Sequence, residues 1–297
     1  MKSLGLWCGD KEEFVVAQIP TIDRSRTEAF ADICLLRSSF TDDQLGGKWD
    51  SMRVPILSTH NPSVHDLLKV SRSQTTAVIP FQRWLCWIYS RGILFCDVSN
   101  KVPAPTASFL WFPVDKSPLT RTRKTTYDIG GVSVVDHGRL LKFVDVARHD
   151  GLAYGALEPG TGFTITCHTL VLGGSMAWKE DYTVTSDDLP DRYQRGIPMH
   201  PQVDIDRPHV VHFLFIEFGK AYEKMSVLSI DMSTKTVESF YLYMDGNEIL
   251  HDYSGCLQPD DDIDFISSTS SYPTPLPFRP CEFPRFCYLS RKRKDME

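Results

Sequence analysis

Acidic and basic side chains that could act in proton transfer lie around two neighbouring turns in the middle of the chain. Asp136 and His137 precede a glycine, and Asp145, His149 and Asp150 follow soon after. General acid–base catalysis requires such groups to converge in one pocket. Aspartate also fixes turns by hydrogen bonding to its own backbone. Turn formation therefore already explains the aspartates, and catalysis is the alternative.

Histidine and cysteine spacing does not match common metal sites. His209 and His212 are three residues apart, and on a strand residues three apart point to opposite faces. Two ligands on one helical face need a spacing of four. Cys256, Cys281 and Cys287 lack the close pairs of a structural zinc site. We therefore predict no metal ligands.

The eight cysteines are scattered, and several lie inside apolar segments. Cys86 and Cys96 could lie opposite each other across a hairpin, near disulfide distance. The alternative is two buried thiols in a reducing compartment. We favour the second interpretation, with the cysteines as small buried apolar residues of an intracellular protein.

Charged segments allow other binding functions but do not require them. Asp260 to Asp264 could bind calcium or form a solvated acidic loop, and Arg121, Arg123 and Lys124 form a small basic patch. The last basic cluster comprises Arg291, Lys292, Arg293 and Lys294. It could be a nuclear import signal or a solubilising tail.

Several motifs of known enzyme classes are absent from the sequence. It has no Gly-x-Ser-x-Gly elbow, no phosphate-binding Gly-x4-Gly-Lys and no Gly-x-Gly-x-x-Gly. Their absence argues against the usual hydrolases and nucleotide-binding enzymes. We assign no catalytic, cofactor-binding or metal-binding residue.

The elements that would position any site are organised around the apolar stretch from Thr76 to Val98. Trp84 to Tyr89 and Ile93 to Val98 are rich in aromatic and β-branched residues, which favour strands, and Arg91-Gly92 supplies the turn between them. Both faces of these strands are apolar. Such strands must be covered on both sides, so we predict sheets packed against neighbouring sheets.

An apolar strand that ends in an aspartate recurs along the chain. The examples are Asp97, Asp145 and Asp231, with Asp50 as a weaker one. Their intervals are near 45 residues or twice that, which is typical of propeller blades. Each aspartate would close the turn after its strand. The alternative is that such turns are common in any β protein.

We therefore predict an all-β, propeller-like arrangement of antiparallel four-stranded blades, with few short helices. The chain has room for about six blades, in a complete or incomplete ring. The short helices expected are Ser63 to Val70 and a brief one within Asp187 to Tyr193. Residues 1–297 would form one domain, with a Pro-rich and then basic tail over residues 272–297.

Composition narrows the class of protein. The 297 residues are 42% hydrophobic and carry a net charge of -6, which gives no overall nucleic-acid footprint. The sequence has no apolar run of about 18 residues, so it predicts no transmembrane helix. We expect a monomer in the cytoplasm, the nucleus or both.

Several motifs resemble a plant family, large in cereals, that is known as domain of unknown function 1618. They run from Arg83 to Asp97, through Val132 to Lys142 and Trp178 to Tyr182, to Pro198 to Pro201 and Pro208 to Phe213. The resemblance implies a propeller-like β domain similar to kelch-like and F-box-associated domains. It implies no activity and no catalytic residues. An F-box is not evident near the N-terminus, which weakens a role as a ubiquitin-ligase receptor.

The leading functional hypothesis is a non-enzymatic domain that binds a protein partner. The loops expected to do so lie at 42–48, 117–126, 149–162 and 245–252. One rival is a hydrolase-like enzyme with a central pocket that uses Asp136, His137 or His149. Another is a substrate adaptor without an F-box. A pocket with convergent titratable groups would favour the enzyme, and an apolar or charged surface patch would favour the binding domain.

Overall fold

A computed structural model describes residues 4–9, 14–24, 28–37, 49–58, 75–98, 106–114, 130–151, 157–173, 175–194, 196–218 and 223–244. These residues form sixteen β-strands, numbered here in chain order. The strands are β1 (Leu4–Cys8), β2 (Phe14–Arg24), β3 (Ala29–Arg37), β4 (Trp49–Ser58), β5 (Ala77–Phe81), β6 (Trp84–Tyr89), β7 (Gly92–Asp97), β8 (Ala107–Trp111), β9 (Gly130–Val135), β10 (Leu140–Arg148), β11 (Phe163–Val171), β12 (Ala177–Thr185), β13 (Ile197–Val203), β14 (Val210–Phe218), β15 (Glu223–Asp231) and β16 (Thr236–Met244).

The first eight strands form one sheet, in the order β1-β2-β3-β4-β8-β7-β6-β5. It consists of two antiparallel sets of four strands, joined where Ile56–Ser58 of β4 run parallel to Ala107–Phe109 of β8. The edge strands β1 and β5 approach so closely that a Cβ on Gly5 would lie 2.6 Å from Val78 Cγ1. This sheet is therefore a nearly closed, barrel-like layer.

The remaining strands form two antiparallel four-stranded sheets, β12-β11-β10-β9 and β13-β14-β15-β16. The all-β prediction is confirmed, but the described residues do not form about six separate four-stranded blades. The parallel ladder between β4 and β8 merges the first two sets of four strands into one sheet.

Helical structure among the described residues is limited to two single 3₁₀ turns, Ser186–Asp188 and Asp191–Tyr193. They confirm the brief helix expected there, which Pro190 interrupts. The helix expected at residues 63–70 and the tail at 272–297 lie outside the described residues. Within the described ranges, no helix is long and apolar enough to cross a membrane.

The central hairpin is buried on both faces, as its composition predicts. Alternate side chains of β6 enter two different apolar cores. One core receives Trp84, Cys86 and Ile88, and the other receives Leu85, Trp87 and Tyr89. The first core lies against β9–β12, and the second lies inside the barrel-like sheet. A third core lies between the sheets β9–β12 and β13–β16 and is formed by residues of both.

The aspartate repeat is only partly reproduced. Asp97 and Asp231 each end the third strand of a four-stranded set, whereas Asp145 lies inside the second strand of its set, paired with Thr166. Asp50 lies near the start of a fourth strand. The prediction that Asp145 closes a turn is wrong, because β10 continues to Arg148.

Both strands predicted for the central hairpin are present, but the sequence pattern did not reveal three edge strands. These are β1, β5 and β13. Strands β5 and β13 contain prolines. Proline cannot donate to the ladder and is tolerated mainly at sheet edges, so these segments look like loops in the sequence.

Candidate functional site

The predicted acid–base residues do not gather at one place. Asp136 and His137 form the β9–β10 turn, with φ of 52° and 54°. The Asp136 carboxylate accepts a hydrogen bond from Arg139, with Nη2–Oδ1 at 2.6 Å. His149 lies beyond the other end of β10, and its Nε2 is 2.8 Å from Thr164 Oγ1 of β11. Asp136 and His149 therefore each have a local structural partner.

Asp150 is part of a buried ion pair rather than an accessible acid. Its carboxylate accepts hydrogen bonds from Arg148 at Nε (2.9 Å) and Nη2 (2.5 Å), and the two side chains are almost fully buried. This contact between both carboxylate oxygens and two guanidinium nitrogens fixes Asp150 just after the end of β10. Asp145 is buried within β10.

The cysteines described are free thiols. Cys86 and Cys96 do not face each other, because Cys96 pairs with Leu85 and Cys86 pairs with Phe95. Burial raises the pKa of the Cys96 thiol to about 12 and that of Cys167 to about 11. The interpretation as buried thiols holds for Cys86, Cys96 and Cys167, whereas Cys8 is exposed. The predicted disulfide alternative is wrong.

His209 and His212 contact different carboxylates. His209 Nε2 lies 3.9 Å from Asp231 Oδ2, and His212 Nε2 lies 3.3 Å from Asp204 Oδ2. Within the part of the chain that the structure describes, no three His, Cys, Asp or Glu side chains are grouped to hold a metal ion. The acidic stretch 260–264, the basic residues 121–124 and 291–294, and Cys256, Cys281 and Cys287 lie outside that part.

A polar row crosses all four strands of the last sheet. The strand register aligns Gln202, His212, Ser229 and Ser239 on β13, β14, β15 and β16. His212 Nδ1 lies 2.8 Å from Ser229 Oγ, and Ser239 donates to Ser229 Oγ at 2.9 Å. Hydrogen bonds join Asp204, His212, Ser229 and Ser239 into a continuous chain, which we call the polar row.

Asp204 is held as an anion at one end of the polar row. Burial would raise the pKa of its carboxyl, but the backbone N–H groups of Arg207 and Asp206 donate to Oδ1, and His212 and Arg207 contact Oδ2. The net effect lowers the pKa of Asp204 below its ordinary value of 3.8. A carboxylate in this position orients the imidazole.

The partners of His212 fix its tautomer. Asp204 can accept but not donate when ionised, so Nε2 of His212 carries the proton that faces it. Nδ1 then accepts from the Ser229 hydroxyl. An Asp–His–Ser arrangement with this polarity can draw a proton from a hydroxyl.

A β-bulge directs a charged side chain toward the loop that carries Asp204. Glu238 is the extra residue between the pairs Ile230–Val237 and Ser229–Ser239. Its carboxylate accepts two hydrogen bonds from Arg207 Nη1, at 2.9 and 3.0 Å. Bulges commonly re-aim side chains in this way. Arg207 thus ties the β13–β14 connection to the edge strand.

A second bulge creates a buried ion pair in the neighbouring sheet. Asp181 is the extra residue between the pairs Cys167–Tyr182 and His168–Glu180. Lys142 Nζ lies 2.8 Å from Asp181 Oδ2 and 2.9 Å from Thr169 Oγ1, and Lys142 is 4% exposed. All three polar groups are satisfied by one another, so this cluster holds strands together.

The outward face of β1–β4 carries an apolar row whose two ends are exposed and whose middle is half-buried. Register aligns Leu6, Val16, Leu36 and Trp49 in one row across the four strands. Leu6 is 54% exposed and Trp49 is 47% exposed, and Leu4 next to this row is 59% exposed. We call this surface the apolar face. Among the described residues, no sheet packs over it.

A cluster of charges borders the apolar face. Arg53 Nη2 lies 2.8 Å from Asp23 Oδ2, and its guanidinium lies over the Phe30 ring at 5.2 Å. Asp32 lies 4.0 Å from Arg53 Nε. An apolar centre with a charged rim is the usual composition of a protein-binding surface.

Sequence reasoning did not find the polar row or the apolar face. Lys142 within the apolar run of β10 is a detectable signal, because a lone cation in a buried strand requires a partner. Ser229 and Ser239 gave no comparable signal, since serine is common on strands. Of the loops expected to bind a partner, 42–48, 117–126 and 245–252 lie outside the described residues, and 149–162 lies partly outside.

Comparison with known proteins yields a match to a family model whose description names no function. No curated protein matches this chain. Residues 87–212 match the model of a family described as protein of unknown function (DUF1618). This segment runs from the central hairpin through β9–β12 to His212. The match supports the resemblance of this chain to the DUF1618 family.

Proposed function

We propose that this protein is a protein-interaction domain of the DUF1618 family and that it binds its partner through the apolar face. The observation that carries the proposal is the exposed row containing Leu6 and Trp49. Burial of such side chains is worth about 25 cal/mol per Å². Tryptophan is enriched among the residues that dominate binding energies.

The partner we propose is a different protein that presents an apolar β-sheet face. Each core between layers in this protein is formed where apolar sheet faces meet. The apolar face has the same cross-strand alignment, so a pleated surface fits it. Arg53, Asp23 and Asp32 at its edge would set the orientation of the partner.

We further propose that the sheets are consecutive blades of a propeller in a single domain. The supporting observation is that β1 contacts β5 and β9 contacts β13, so the first strands of successive four-strand sets lie together. We also propose that it is an intracellular plant protein, cytoplasmic or nuclear, and monomeric when free. The family resemblance is consistent with this. A role as an F-box-less adaptor would use the same surface.

Capture of partners by two matched variants tests the binding surface. The double variant Leu6→Ser/Trp49→Ser removes the apolar row, and Tyr241→Ser changes a similarly exposed residue (54%) on the last sheet. We expect the wild type and Tyr241→Ser to retain the same plant protein, and the double variant to lose it with an unchanged melting temperature.

Two results would count against this proposal. Equal capture by all three proteins would place binding elsewhere. A concentration-dependent dimer in light scattering that the double variant abolishes would show that a second copy covers the apolar face.

A further inference from the structure

Ser239 is the exposed end of the polar row. It lies on β16, and its hydroxyl donates to Ser229 Oγ at 2.9 Å. Ser229 is only 3% exposed and connects Ser239 to His212. Solvent can therefore reach Ser239, while the groups behind it are largely covered.

The hydrogen bonds of the polar row all point the same way. Ser239 donates to Ser229. In the tautomer that an ionised Asp204 selects, Ser229 donates to Nδ1 of His212 and Nε2 of His212 donates to Asp204. A proton lost at Ser239 can thus move to Ser229 as the Ser229 proton moves to His212. The resulting imidazolium would lie beside the Asp204 carboxylate, whose charge stabilises it.

The geometry points to Ser239 as a nucleophile for acyl donors with a good leaving group, of the aryl ester class. The site is independent of the apolar face and needs no residue of the binding surface. Tyr241 lies two residues further along β16 on the same side and is 54% exposed, so an aryl group can pack beside Ser239.

The step balances within the polar row and the substrate. Ser239 Oγ forms a bond to the ester carbonyl carbon as its proton passes through Ser229 to His212. The bond from carbon to the aryl oxygen then breaks, and the leaving phenolate takes a proton from Ser229 as Ser229 regains one from His212. The products are the O-acyl Ser239 protein and a phenol.

The rim of the site is ordered by charges that do not take part in the step. Arg207 bridges Asp204 and Glu238, and Glu238 immediately precedes Ser239 on β16. This bridge holds the edge strand against the loop that carries Asp204. Arg207 is therefore a positioning residue for the polar row.

Labelling with a fluorophosphonate probe tests the inference directly. The probe transfers its phosphonyl group to an activated serine and releases fluoride. We expect the full chain to be labelled at Ser239, identified by peptide mass spectrometry. Ser229→Ala and His212→Gln should each slow labelling at least about a hundredfold, which is the usual contribution of a general base.

Ser233→Ala is the matched control, because Ser233 is also exposed and its hydroxyl donates to Asp231 at 2.6 Å. It should be labelled at the wild-type rate. Acylation by p-nitrophenyl acetate gives a second readout, the release of up to one equivalent of nitrophenol, which Ser239→Ala abolishes. Circular dichroism and melting temperature identify any variant that fails to fold.

Three results would overturn the inference. One is labelling of Ser239 at the same rate in folded Ser229→Ala and His212→Gln. Another is labelling of Ser233 in place of Ser239. The third is no labelling of the folded wild type above the rate of heat-unfolded protein.

Discussion

The two sheet faces that carry the candidate sites differ in composition although both belong to antiparallel four-stranded sets. The outward face of β1–β4 carries Leu6 and Trp49 in an exposed apolar row. One face of β13–β16 carries His212 and Ser229 in a hydrogen-bonded polar row, in which Ser229 is buried. Inner faces of both sets are apolar because they form cores. The fold therefore fixes the composition of the faces that form these cores and leaves the opposite faces to differ in function.

The largest predicted effect separates inner from outer aromatic residues. Trp87→Ala should lower the free energy of unfolding by about 3–5 kcal/mol, because Trp87 is 1% exposed in the core between the halves of the first sheet. Trp49→Ala on the apolar face should change it by less than about 1 kcal/mol. Urea unfolding of both variants measures the difference. Equal losses would mean that the apolar face is covered in the free protein.

A comparable effect is expected for the buried ion pair of the middle sheet. Lys142→Ala leaves the Asp181 carboxylate without its cation, which typically costs about 3–5 kcal/mol. Lys179→Ala, at an exposed position on β12, should stay within about 0.5 kcal/mol of wild type. If the two variants unfold at the same urea concentration, the Lys142 contact does not stabilise the fold.

A smaller effect is expected from the titration of His168. Burial lowers the pKa of His168 below its ordinary value of 6.5, and Glu180 and Asp181 only partly oppose this. The unfolded chain therefore takes up the proton first. Stability should decline as the pH falls through 6.5 and level off below the folded pKa. His168→Gln should flatten this part of the profile of unfolding free energy against pH; an unchanged slope would contradict the prediction.

The smallest effect concerns the polar row at acidic pH. The pKa of Asp204 lies below 3.8 in the folded protein: burial opposes this shift, but hydrogen bonds to Arg207 and Asp206 outweigh burial. Its contribution to stability is present above about pH 4 and is lost as the pH falls through the folded pKa. Asp204→Asn should be less stable than wild type at pH 7 and closer to it at pH 3. A constant difference at both pH values would count against this role.

The sequence predicts the interior of the protein better than its sheet edges and surface. The double-sided burial of Trp84 to Tyr89 follows from its composition and is confirmed. The edge strands β5 and β13 were missed because their prolines suggest loops. The proposed role of Asp145 failed because an aspartate in a strand looks the same as one at a strand end. Periodic apolar residues indicate which segments enter a core, but they do not indicate which strands become neighbours.

The candidate sites were the least predictable part. The polar row needs β14, β15 and β16 in register and one residue, Asp204, from the connection that precedes β14. Nothing in the spacing of Asp204, His212, Ser229 and Ser239 reveals that alignment. The two bulges that redirect Asp181 and Glu238 are equally hidden, since each depends on one unpaired residue in a ladder.

Site-specific photocrosslinking tests the central claim most directly, namely that the apolar face is where a partner binds. A benzoylphenylalanine would replace Leu6 in one protein and Tyr241 in another, because both positions are about half exposed and lie in different sheets. The account predicts one discrete adduct from position 6, lost on Trp49→Ser and mapped to an apolar β-strand of a different protein. Adducts of equal yield from both positions, or none from position 6, would contradict it.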